Sequence, residues 1–155
     1  MMSSLLLCLP FFLLPVDTLL GYKLGFLILM PISFQNHLRN CDPENLYALK
    51  YKESKQINKI DHIAITYLNS ISLFRNYSMV FLLLILEYKT QKLNKILFLI
   101  NYTYQFYISS YKLNLTIAAI LCIYGFNFNK QKTWIRYKRY VWHSGIVMYT
   151  YYAGL

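Results

Sequence analysis

The chain has 155 residues, room for one domain, of which 57% are hydrophobic and 14% charged, with a formal net charge of +10. Soluble domains carry about 25% charged residues, and a soluble core of this size needs amphipathic helices with polar outer faces, of which the sequence offers few. Composition therefore excludes an ordinary water-soluble globule, and the distribution of the basic residues, described below, excludes a nucleic-acid-binding module.

In chain order, largely uncharged stretches fall at about 4–15, 18–37, 61–74, 76–88, 95–110, 113–128 and 140–152. Together they predict an all-α, multi-pass transmembrane bundle of six to seven helices in one domain. Several are shorter than the roughly 20 residues that cross a hydrocarbon core, but Tyr, Asn and Ser flanks extend them through the interface and Lys or Arg can snorkel. The first is interrupted by Pro10, Pro15 and Asp17 and reads either as a span or as a signal segment; against the latter, no Lys or Arg precedes it. A basic, polar loop is expected over 38–60, where Asp42, Pro43 and Glu44 have the order of a helix N-terminus. Asn76, Asn101 and Asn114 begin glycosylation sequons, all within or against the expected spans, so none is expected to be used. Cys8, Cys41 and Cys122 show no Cys-x-x-Cys spacing and predict no disulfide framework.

Alternating the loops of seven spans sorts the charges. Arg39, Lys50, Lys52, Lys55, Lys59, Lys89, Lys92, Lys95, Lys130, Lys132, Arg136, Lys138 and Arg139 fall on one side; only Lys23, Arg75 and Lys112 fall on the other. The positive-inside rule then places the N-terminus and the basic loops in the cytoplasm or an equivalent compartment. Attraction to anionic head groups accounts for the basic balance, making membrane lipids the expected partners, together with other membrane subunits.

All three histidines collect on the basic side. His37 ends the second span, His62 begins the third, and His143 lies in the first turns of the last. Ser33 is four residues before His37, on the same helix face, and Pro31 can kink that helix and free a carbonyl. Asp61 adjoins His62. Ionisable residues at membrane depth are costly and point to a site, and two or three imidazoles with a carboxylate form a familiar zinc set with an open position for water. Each residue also has a plain structural role open to it: a histidine in the head-group region, or Asp61 as a helix N-cap.

The order Ser33-x-x-x-His37, Asp61-His-Ile-Ala-Ile and Tyr140-Val-Trp-His143 resembles the CREST superfamily of seven-helix membrane proteins. These include alkaline ceramidases, progestin/adiponectin-receptor and hemolysin III proteins, and GPI-processing phospholipases. The resemblance implies a zinc ion near one membrane face, with His37 and His143 as ligands and Ser33 and Asp61 assisting a zinc-bound water. The family's other last-helix histidine is replaced by Arg139, which cannot ligate zinc; His62 either completes an altered metal site or the site is degenerate. The implied activity is zinc-dependent hydrolysis of a lipid amide or ester, with Ser33 and Asp61 as catalytic residues and His37, His143 and His62 as metal ligands. The alternative is a non-catalytic accessory subunit of a membrane complex, for example in an organelle.

Overall fold

The structure, a computed structural model, describes residues 2–40, 51–126 and 135–154. Among these residues it is all-helical. A 3₁₀ helix, Met2–Cys8, leads into α1 (Leu9–Leu13), followed by α2 (Leu20–Asn40), α3 (Tyr51–Phe74), α4 (Tyr77–Thr90), α5 (Leu93–Ile108), α6 (Lys112–Phe126) and α7 (Ile135–Gly154).

The punctuation is local chemistry. Pro10 enters the first turn of α1, where its missing N–H costs nothing. Lys23 on α2 donates to the carbonyls of Leu14 (3.3 Å) and Pro15 (3.4 Å), just beyond the end of α1. Asn76 caps α4: its side-chain oxygen accepts from the amides of Ser78 (3.0 Å) and Met79 (3.3 Å). Arg75 before that cap and Gln91 after α4 take left-handed backbone, with φ of 50° and 55°, which reverses the chain tightly between α3, α4 and α5.

Two differences from the sequence expectation stand out. Residues 51–60, expected in a basic loop, form the first turns of α3, and 38–40 extend α2. No proline or glycine interrupts the run from Tyr51 to Phe74, so charge alone does not stop the helix. The expected helix start at Asp42–Glu44 lies outside the described residues. The first apolar stretch is a 3₁₀ helix and a five-residue α-helix rather than one rod.

No helix among the described residues is long and apolar enough to cross a membrane. Helices α2, α3 and α7 have 21, 24 and 20 residues but carry polar and charged side chains. Helices α4, α5 and α6 are more apolar but have 14, 16 and 15 residues, about 21–24 Å at 1.5 Å per residue.

Packing follows small residues. Gly21 and Gly25 on α2 admit Tyr67 and Leu68 of α3, and Tyr67 donates its hydroxyl to the Gly21 carbonyl at 3.0 Å. Leu7, Phe26, Leu29 and Leu68 form one apolar cluster, with Ile146 of α7 packed on it. Leu115, Ala118 and Tyr149 form a second, between α6 and α7. There Gly145 faces the backbone of α6 so closely that a Cβ on it would lie 2.9 Å from the Cys122 amide nitrogen.

Burial runs against the usual order. Glu87, Thr66 and Ser70 are fully buried, and Arg139, His143 and Asn101 nearly so. Phe81, Leu82, Leu99, Leu113, Ile120 and Ile123 are each more than half exposed.

Candidate functional site

The polar interior begins on α3. Asp61 sits within that helix, ten residues past its start, and so is not its N-cap. Its carboxylate is buried and its Oδ2 accepts from Asn36 Nδ2 of α2 at 2.7 Å; the same Asn36 group lies 3.4 Å from Asn58 Oδ1. Ser33, one turn before Asn36, is also buried. Among the described residues, the second carboxylate oxygen of Asp61 has no hydrogen-bond partner.

His62 turns elsewhere. Its Nδ1 lies 3.8 Å from Oε1 of Glu87, in the last turn of α4, and its side chain keeps 25% of its surface exposed. Glu87 is completely buried. Its other oxygen accepts the backbone N–H of Asn94 at 3.0 Å. Asn94 is in the first turn of α5, where backbone donors lack helical partners and the helix dipole favours an anion. The carboxylate therefore closes the α4–α5 turn while presenting its free oxygen to α3.

His143 is buried on α7. It hydrogen-bonds the backbone of Ser3 in the N-terminal 3₁₀ helix and interacts electrostatically with Arg139, one turn earlier on its own helix. Arg139 is itself 1% exposed. His37 belongs to α2, but its side chain lies outside the described residues.

Farther along α3 the polar line continues. Asn101 of α5 donates to Asn69 at 3.2 Å and accepts from Ser72 at 3.5 Å. Tyr22 of α2 lies beside both Ser72 of α3 and Thr150 of α7. These groups tie α2, α3, α5 and α7 together, as buried polar groups must be tied.

The predicted site residues whose side chains are described are thus buried or half-buried, but in separate partnerships: Asp61 with Asn36, His62 with Glu87, His143 with Ser3. Among the described residues, no three of His, Cys, Asp and Glu are grouped closely enough to hold a metal ion. Sequence reasoning missed Glu87, although an acid inside an apolar run was a usable signal. It missed Asn36 and Asn101 for want of one, since their partners lie 25 and 32 residues away.

Two shallow grooves have almost wholly apolar linings. One, of about 130 Å³, lies between Pro31, Ile32 and Gln35 of α2 and Ile57 and Ile60 of α3. The other, of about 270 Å³, runs between Leu6, Leu9 and Leu13 and α7 residues including Val147 and Met148. Both fall below the roughly 300–1,000 Å³ of small-molecule sites.

No family model, curated protein or solved structure matches the chain.

Proposed function

We propose that this protein is a membrane-embedded helical bundle acting as a non-catalytic accessory subunit of a membrane complex. The observation that carries the reading is the polar interior beside an apolar exterior: Glu87, Asn101, Arg139 and His143 inside, and Phe81, Leu82, Leu99, Leu113, Ile120 and Ile123 of α4, α5 and α6 outside. Water penalises that arrangement on both counts, whereas a bilayer or the flank of another membrane subunit rewards it. The shortness of α4–α6 favours partners over lipid alone. A helix of about 21–24 Å leaves part of a roughly 30 Å hydrocarbon core unmatched, and oligomerisation is one of the ways such mismatch is relieved. Close backbone approach at Gly145 and Ala118 is the packing mode that membrane helices use when apolar burial supplies no driving force between them.

Alkaline carbonate extraction followed by native electrophoresis in mild detergent tests this. The protein is expected to remain with the membrane pellet and to migrate in a particle well above its own 18.5 kDa. Release into the carbonate supernatant as a monodisperse monomer overturns the reading.

A second reading, hydrolysis of a lipid amide or ester, draws support from the burial of Ser33, Asp61 and His143, all near the basic end of their helices. In it a zinc ion supplies an activated water and polarises the carbonyl. The described residues do not fit that ion. His62 is engaged with Glu87 and His143 with Ser3, and Arg139 replaces an imidazole. Under this reading His143→Asn, and not Glu87→Gln, abolishes zinc binding.

A further inference from the structure

We propose that the outer face of α4, α5 and α6 is the protein's lipid-contact surface, an apolar band set at its depth in the bilayer by tyrosines along both rims. The inference rests on the membrane reading and sharpens it, assigning to lipid a face that a bilayer or a neighbouring subunit would both suit.

The connections between these helices are short, residues 91–92 and 109–111, and short connections make antiparallel neighbours. The start of α4, the end of α5 and the start of α6 therefore share one end of the bundle. The end of α4, the start of α5 and the end of α6 share the other. Exposed tyrosines mark both: Tyr77, Tyr107 and Tyr111 at the first, Tyr88 and Tyr124 at the second. Between them, in residues 79–86, 96–100 and 113–123, every exposed side chain is apolar. Tyrosine at two levels around an apolar band is the pattern of side chains that sit at the two membrane–water interfaces. Lys89, Lys92 and Lys95 crowd the second end, all exposed, and there complement anionic head groups.

Two observations select lipid over a protein as the occupant. Membrane helices associate through small residues that let backbones approach. On α6 those residues, Ala118, Ala119 and Gly125, are buried, and Ala118 already packs with Tyr149 of α7. The residues left outside are bulky: Leu113, Ile117, Ile120 and Ile123. The second observation is that the hydroxyls near this face are satisfied within their own helices. Thr90, Thr103 and Thr116 donate to the carbonyls of Leu86, Leu99 and Lys112 at 3.0, 2.9 and 2.8 Å, which is what hydrocarbon requires of them. The rise from Tyr77 to Tyr88 is about 17 Å, so a core of roughly 30 Å thins against this face. The assembly partner is left to the remaining flanks.

Spin labelling tests the assignment in the assembled particle, drawn from carbonate-washed membranes and placed in lipid nanodiscs. With the native cysteines replaced by alanine, Leu82→Cys, Leu99→Cys and Ile120→Cys are labelled singly. Relaxation by oxygen, which concentrates in hydrocarbon, is compared with relaxation by a water-soluble nickel chelate. Oxygen is expected to dominate at all three sites, and the nickel chelate to gain at Tyr88→Cys and Tyr107→Cys. Low access of both reagents at any of the three central sites, or loss of such a variant from the particle, means that a protein covers the face; it overturns the proposal and leaves the membrane reading standing. A nickel profile that is flat from the central sites to the tyrosines also overturns it. Strong nickel access at the central sites, or release of the chain by carbonate, overturns both.

Discussion

Asn36 decides how Asp61 is tolerated. Its amide gives the carboxylate a 2.7 Å hydrogen bond across the α2–α3 interface, and removing one partner of a buried pair exposes the full desolvation penalty of the other. Asn36→Leu is expected to lower stability by about 1–3 kcal/mol, read as an earlier unfolding midpoint in detergent, whereas replacing both residues, Asn36→Leu with Asp61→Leu, recovers part of the loss. An unchanged midpoint in the single variant rules out this role. These residues also mark the limit of what the sequence disclosed. Asp61, His62, His143 and Ser33 stand out because ionisable or hydroxyl groups are conspicuous in apolar surroundings. The groups that answer them are an asparagine, a lone glutamate and a serine backbone, whose meaning exists only once distant helices are adjacent.

Helices α6 and α7 meet through small residues, and the consequences can be separated by asking what a methyl group would strike. A Cβ on Gly145 lies 2.9 Å from the Cys122 amide nitrogen and 3.1 Å from the Ala118 carbonyl oxygen, both backbone. On Gly21 it meets the hydroxyl ends of Tyr77 at 2.8 Å and Tyr67 at 3.1 Å, which can swing away. Gly145→Ala should therefore cost about 1–3 kcal/mol, as overpacking does, and Gly21→Ala distinctly less. Thermal unfolding of the two variants side by side checks the order, and a reversal would mean that the α6–α7 contact is looser than described. The helices were themselves legible: the apolar segments after the first each fall on one α-helix, and the breaks fall at polar positions such as Asn76 and Lys92. The early start of α3 was not legible, because Lys52, Lys55 and Lys59 suggest a loop by their charge although lysine is a good helix former.

For the whole molecule, the charge distribution and the fold can be tested together. Lys55 and Lys92 are exposed near the starts of α3 and α5, and Lys112 is exposed at the start of α6. With the native cysteines replaced by alanine, Lys55→Cys and Lys92→Cys should react with an impermeant thiol reagent from the same side of sealed vesicles, and Lys112→Cys from the other. Labelling of Lys55→Cys and Lys92→Cys from opposite faces removes the topology. The helical class was within reach of composition and segmentation. The site was not, since the positions of histidines along the sequence say nothing about which neighbour each one turns toward.

The hydrogen bond from Asn94 to Glu87 spans only seven residues, and that has a bearing on biogenesis. That hydrogen bond needs nothing from the remainder of the chain, so α4 and α5 can close into a hairpin as soon as both have left the ribosome, with the second carboxylate oxygen left for α3. In the membrane reading, such a hairpin enters the bilayer with one oxygen of its buried carboxyl group already engaged, and α3 arrives at a partner that is preformed.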